Sequence, residues 1–261
     1  MATLVTFHAH PDDECIGCGG IMRKASEEGH RVVLVVATRG EHGEVVEGVL
    51  GENEPLWQRR VAETHASAEI LGAHRVEFLG YVDSGMMGEP TNSAPGSFWT
   101  TPVEDAAQKL AAILREESAD VLTCYDDNGG YGHPDHIQVH RVGMRAAELA
   151  GTPRVYQGTL NRDHLARGRQ EMAGALEAEI PDPGTDETFG KPESEITAAV
   201  DVTPYLEHKR RAMRAHASQI SEQSFFLALP DDAFAYAFGT EWFIREGQGP
   251  GITETDLMAG L

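Results

Sequence analysis

Basic residues are scarce in this sequence, and cysteines scarcer still. Lys and Arg total 21 against 42 Asp and Glu, giving a net charge of −21. A protein that neutralises phosphates needs a basic face, so DNA and RNA are not expected partners. Anionic membrane surfaces are disfavoured for the same reason. Three cysteines in 261 residues do not make a disulfide framework. No apolar run approaches the roughly 20 residues that cross a bilayer, and the N-terminus lacks the basic stretch, apolar run and cleavage site of a secretory leader. The expected location is therefore the cytoplasm. Aromatic residues are few, at 7%, but the hydrophobic share of 41% is that of a globular protein able to bury one large α/β core.

What is present alternates. Apolar runs at residues 4–8, 31–38, 75–80, 120–125 and 154–160 read as strands, and residues 17–29, 56–71, 103–117 and 134–150 as helices. The run RVVLVVAT at 31–38 is apolar on both faces, as in parallel sheets covered on both sides. The expected fold class is α/β: a Rossmann-like, mostly parallel sheet with helices on both faces, plus a smaller C-terminal region. Residues 82–102, rich in Gly, Pro, Ser and Met, read as a long functional loop. The acidic, proline-rich residues 180–195 read as an exposed connector. The expected division is a catalytic core at 1–177 and a connector with C-terminal region at 178–261, packed as one domain.

Residues 7–20, FHAHPDDECIGCGG, come straight after the apolar Leu4-Val5-Thr6 that opens the first strand. Charged groups at the end of a buried strand are costly unless paired or bound to a metal. Three such loops fall at strand ends: His10 to Glu14, Arg39 to Glu44, and Asp126 to His136. In open α/β sheets, sites form beyond the C-terminal ends of the strands. His10, Asp13 and the distant His136 supply the three protein ligands of a catalytic zinc site with an open position. Asp12, Asp135 and His133 remain beside them, and a carboxylate next to a metal-activated water can serve as general base. The plainer reading of each His-Pro-Asp pattern is a helix cap; two at matching strand ends favour the metal.

AHPDDE followed by GCGG, with GYGHPDH at residues 130–136, resembles the LmbE/PIG-L family of zinc-dependent N-deacetylases, which act on N-acetylglucosaminyl conjugates and include enzymes of mycothiol metabolism. The resemblance covers the first 150 or so residues, and the rest only loosely through KRRAMRAHASQ at 209–219. It implies His10, Asp13 and His136 as metal ligands, and a zinc-activated water with Asp12 as general base. It further implies His133 as oxyanion or leaving-amine partner, tuned by Asp135, and Tyr131 as a mobile assistant at the carbonyl. Arg60 and Asp83 match sugar-contacting positions. Met86 and Met87 either floor an adaptable pocket or, with Phe98 and Trp99, anchor the loop. The cofactor expected is Zn2+, although Fe2+ or another divalent ion suits the same donors. The expected partner is a small N-acylated sugar conjugate, and nothing speaks against a homo-oligomer. The rival readings are an amidase removing a larger acyl group from a glucosaminyl thiol conjugate, and a sugar-binding relative without catalysis.

Other clusters carry plainer readings. Cys15 and Cys18 are expected to pack a helix against the sheet, and the glycines around them only faintly echo a dinucleotide fingerprint. His8 is read as structural, His42 as part of a solvated loop, and His216 as a satisfied helix residue. Arg60 is as readily a surface partner of Glu63 as a sugar ligand. Asp127, where many members of the family carry proline, adds a negative charge near the mouth of the site.

Overall fold

The computed structural model describes residues 1–172 and 189–261. In chain order the regular elements are β1 (Thr3–His8), α1 (Asp13–Gly17), α2 (Gly19–Glu27), β2 (Arg31–Thr38), α3 (Leu56–Leu71) and β3 (Arg75–Tyr81). There follow α4 (Val103–Glu116), β4 (Val121–Tyr125), α5 (Pro134–Ala150), β5 (Arg154–Thr159) and α6 (Arg162–Met172). The chain continues with β6 (Ala198–Asp201), α7 (Leu206–Ala215), α8 (Phe225–Ala228), α9 (Asp231–Phe238) and β7 (Thr240–Arg245). The strands form one sheet in the order β3-β2-β1-β4-β5-β7-β6. The first five are parallel, as expected from their apolar runs.

Alternation along the buried strands feeds two separate apolar layers. Leu4, Val32 and Leu34 face the layer formed with Ile21, Met22, Ala68, Leu71 and Met213. Val5, Phe7, Val33 and Val35 face the other, with Leu110, Leu114, Val139 and Val142. Helices α2, α3 and α7 therefore cover one face, and α4 and α5 the other.

One expectation needs correction and another gains detail. The helix expected at 17–29 is shortened to α2, and a short unexpected helix, α1, precedes it, the two separated by a break at Cys18, where φ is −134°. The C-terminal region, expected to pack on the core, also joins its sheet. β7 pairs antiparallel with β5, and β6 with β7, so it finishes the sheet, while α7 finishes a helical layer. The boundary expected at 177/178 and residues 180–188 of the expected connector lie outside the described residues. The connector's described end is tied down: Gly190 N–H donates to Gly130 O at 2.7 Å, and Lys191 N–H to Leu160 O at 2.9 Å.

The break at Cys18 explains the glycines. A Cβ on Gly20 would stand 2.3 Å from Val202, so a side chain there would drive α2 off the C-terminal region. The N–H groups of Gly20 and Ile21 donate to the Glu241 carboxylate at 2.8 and 2.9 Å, and Lys209 pairs with it at 2.5 Å. A helix N-terminus that could hold a cofactor phosphate holds an internal carboxylate instead. Both Lys209 and Glu241 are buried, so Lys209→Met leaves a buried carboxylate without its cation. The expected loss is about 3 kcal/mol of unfolding free energy, measured by urea denaturation; a loss below roughly 0.5 kcal/mol, the level of an ordinary surface change, would show that the helix N–H groups satisfy Glu241 unaided.

The three cysteines are free and buried. Burial raises the Cys15 and Cys18 thiols and pushes Cys124 up to about 12, which makes them poor thiolates and fits the packing reading. Among the described residues, no helix is long and apolar enough to cross a membrane.

Candidate active site

β1 lies between β2 and β4, so the chain leaves it in one direction first and returns on its other side later. This is the switch point at which open α/β sheets form their crevices. It brings the loop after β1 beside the loop after β4, with Leu4 paired to Val121 and Thr6 to Thr123 in parallel register.

Three donor atoms converge there. Asp13 Oδ2 lies 3.5 Å from His10 Nδ1 and 3.4 Å from His136 Nε2. For ligands about 2.0–2.1 Å from a tetrahedral ion, the donor–donor edge is roughly 3.3 Å. The same oxygen accepts the His10 N–H at 2.8 Å, which fixes the carboxylate. Each imidazole's second nitrogen sets its tautomer. His136 Nδ1 faces the Gly129 carbonyl at 3.2 Å, so Nδ1 carries the proton and Nε2 offers a lone pair. His10 Nε2 faces Asp135 at 3.1 Å and Asp83 at 3.4 Å, so its proton sits there and Nδ1 is free. Carboxylates and carbonyls behind ligating histidines are the usual support of metal sites. Gly129 is needed for this: at φ +62° its Cβ would fall 2.3 Å from His136 Cβ.

A second trio, His10, His133 and His136, has its donor atoms close enough together to surround an ion. The hydrogen bonds distinguish the two. His133 caps α5 by accepting the Asp135 N–H on Nδ1 at 3.1 Å. Neutral imidazole has one donor and one acceptor nitrogen, so His133 presents Nε2–H and has no free lone pair. Burial and the neighbouring histidines lower its pKa to about 4, which keeps it neutral. The Asp135 carboxylate accepts from Ser84 N–H at 2.9 Å and from Ser84 Oγ, and lies against His10. Its hydrogen bonds thus hold His10, and its effect on His133 is through charge.

Asp12 sits at φ 99°, a left-handed conformation rare for a residue with a side chain. Burial, opposed chiefly by Arg60, pushes its carboxyl up to about 6. Arg60 is itself buried; it donates to Gly40 O at 2.9 Å, to Pro11 O and to Asp12 Oδ2 at 3.2 Å. The surface pairing with Glu63 is not formed, because Glu63 accepts from Ser218 N–H and Oγ at 2.9 and 2.6 Å. Asp83 is buried and accepts Gly85 N–H and His42 N–H at 2.9 and 3.2 Å. Against the burial penalty, His10 and these N–H groups hold its carboxyl below the usual range. Met86 and Met87 are about half exposed, whereas Phe98 is fully buried; the loop is anchored by Phe98, not by the methionines. Tyr131 is exposed, with its hydroxyl 3.4 Å from His136 Nε2. The Asp127 carboxylate pairs with Lys191 at 2.6 Å, so its charge is offset locally.

Several supporting residues were not singled out by the sequence. Ser84 holds Asp135. Tyr125 stacks on His136 with centroids 4.6 Å apart and meets His8 Nδ1 at 2.9 Å. Glu14 is fully buried beneath Asp12. Only the density of acidic residues in HPDDE hinted at Glu14; nothing local marks Ser84 or Tyr125.

The sheet that carries this cluster of carboxylates and histidines has the fold of several solved enzymes. Over 95% of this chain and all of the other, it superposes on a deacetylase of teicoplanin biosynthesis at TM-score 0.63 with 15% identity. Over 93% of this chain and 83% of the other, it superposes on the N,N'-diacetylchitobiose deacetylase of Pyrococcus horikoshii at 0.56 with 22% identity. A 4-carboxy-2-hydroxymuconate hydratase of Pseudomonas putida has the fold too, at 0.57 with 18% identity over 98% of this chain and 99% of the other, so fold alone does not choose the reaction. Sequence is more selective. Residues 5–147 match the PIG-L family, described as GlcNAc-PI de-N-acetylase, and the chain belongs to that family. It is 40% identical, over 99% of its length and 88% of the relative, to the 1D-myo-inositol 2-acetamido-2-deoxy-alpha-D-glucopyranoside deacetylase of Streptomyces griseus. The Thermobifida fusca protein of the same name is also 40% identical, over 98% of both chains.

Proposed function

We propose that this protein is a cytoplasmic, metal-dependent hydrolase that removes the acetyl group from an N-acetylglucosaminyl inositol. The observation that carries the reading is that Asp13 Oδ2, beside Asp12, stands 3.5 Å from His10 Nδ1 and 3.4 Å from His136 Nε2, each close to the edge of a tetrahedral site; the near-full-length likeness to the Streptomyces and Thermobifida deacetylases supports the substrate. The donor set fits a divalent ion, because it gathers two ring lone pairs and a surplus of buried carboxylate that a cation would offset. We assign His10, Asp13 and His136 to hold it and Zn2+ as the ion. When bound, such an ion supplies Lewis acidity and brings the pKa of a water to about 7.

The chain's own residues do the rest. Asp12, oriented by Arg60, takes the proton of the water that attacks the acetyl carbon. His133 offers Nε2–H to the oxygen on which negative charge develops, and Tyr131 can add its hydroxyl from the rim. The proton taken by Asp12 passes to the departing amine, so that acetate and a free amino sugar leave. Arg60 acts here through Asp12; we assign half-exposed Met86 to the sugar, and Asp83, buried against His10, to the support of that ligand.

The test is metal content of protein purified without added metal, together with acetate release from N-acetylglucosaminyl inositol by the same batch. Stoichiometric metal with acetate release supports the reading. Metal without acetate, but with turnover of a bulkier acyl group, replaces it with the amidase. No metal after zinc is restored removes the hydrolase.

Ser84→Ala strips the hydroxyl from Asp135 and loosens His10. Metal affinity is expected to fall about 10-fold, the lower range for an outer support of a ligand, as measured by competition with a chelator. An unchanged affinity would mean that the Ser84 N–H suffices.

A further inference from the structure

Helix α7 ends at His216, more than 200 residues downstream of the first loop, yet its ring reaches beneath Asp12. His216 Nε2 lies 2.6 Å from Glu14 Oε1, which also accepts the Ser67 hydroxyl at 2.5 Å. The other oxygen, Glu14 Oε2, accepts the Asp12 N–H at 3.0 Å. The side chains of His216, Glu14 and Ser67 are all fully buried. His216 Nδ1 is buried without a partner, so this ring costs stability that an apolar side chain would not. What it gains is a fixed Glu14.

We propose that His216 is a positioning residue for the reaction: through Glu14 it holds the peptide N–H of Asp12 and so keeps that residue in its left-handed conformation. The inference rests on Asp12 acting as the base. A non-glycine residue at φ 99° persists only when its surroundings over-determine it, and Asp12 is restrained from two sides. Arg60 grips its carboxylate and the Pro11 carbonyl. Glu14 grips its N–H, and the Glu14 carboxylate can swing unless Ser67 and His216 pin it. The C-terminal region thereby contributes to the catalytic geometry of a loop far from it in sequence. The KRRAMRAHASQ stretch works as a set of anchors, in which Lys209 secures α2, His216 secures Glu14 and Ser218 secures Glu63.

The test compares the wild type, His216→Ala and His216→Gln, whose amide can donate where Nε2 did. The measurements are kcat and KM for acetate release, bound metal, and hydrogen–deuterium exchange of the peptide spanning residues 10–16. His216→Ala is expected to lower kcat about 30-fold, within the range of misplaced catalytic geometry, with KM changed less than about twofold and bound metal retained. Exchange across residues 10–16 should speed up, and His216→Gln should recover most of both effects. Unchanged kcat and exchange in a folded His216→Ala protein would overturn the proposal, as would equal losses in His216→Ala and His216→Gln. If His216→Ala does not fold, Ser67→Ala, which removes the other restraint on Oε1, decides in the same way: a several-fold fall in kcat with faster exchange supports the proposal, and no change overturns it. If the wild type releases no acetate, the assigned reaction fails, and exchange of the 10–16 peptide alone judges the positioning.

Discussion

Asp12→Asn is expected to lower kcat by about 10³-fold, in the range for loss of a general base, while bound metal stays at the wild-type level. Asparagine is the informative choice because of the backbone. Asp12 occupies φ 99°, where Asn and Asp are tolerated but other side chains cost roughly 1–2 kcal/mol. Alanine there would add strain to the loop and lose the contact with Arg60, so its activity loss would mix geometry with chemistry. Asparagine keeps an oxygen for Arg60 and an N–H for Glu14, but its amide cannot take a proton from water. The substrate is held by other groups, so KM should move little. Steady-state kinetics with metal analysis of the same sample makes the check. If the variant keeps more than about a tenth of wild-type kcat, short of the smallest loss expected for a general base, the proton goes elsewhere, and the Asp12 carboxylate serves only to orient Arg60.

The parallel half of the sheet was readable because its signal is local. RVVLVVAT can only be a strand buried on both faces, and the loops at its neighbours' ends carry the charges. The candidate donors were readable as well, since His10, Asp13 and His136 stand out against the strands that precede them. What decides their use was not. The lone pair of His136 is set by the Gly129 carbonyl, and that of His133 is spent on the Asp135 N–H; a sequence does not display backbone groups. Arg60 shows the same limit. Its local partner is Glu63, one helical turn away, but both are buried and each is taken by a distant partner, Asp12 and Ser218 respectively. The break of the first helix at Cys18 has the same origin, because the carboxylate that caps α2 comes from Glu241 in the last strand. That strand lies inside an aromatic-rich stretch whose local pattern does not separate it from the helix before it.

His136→Ala should leave the protein without its ion, whereas His133→Ala should keep it. The two histidines flank Asp135 on the same turn, and both lie near His10 with ring centroids 5.3 and 4.6 Å away, so proximity does not separate them. Their tautomers do. His136 turns a lone pair on Nε2 toward Asp13, and its removal deletes one of three donors, which should cost more than the roughly 10–100-fold in affinity that loss of an outer support costs. His133 has its lone pair engaged and a proton on Nε2, so removing it takes away a hydrogen-bond donor to the developing oxyanion. The expected loss is about 10²–10³ in kcat, as for one oxyanion donor, with affinity for the ion within a few-fold of wild type. Chelator competition on the purified variants, alongside single-turnover rates, separates the outcomes. Loss of the ion from His133→Ala with retention in Asp13→Asn would move the site to the three-histidine set, and would leave Asp13 as the carboxylate that orients it.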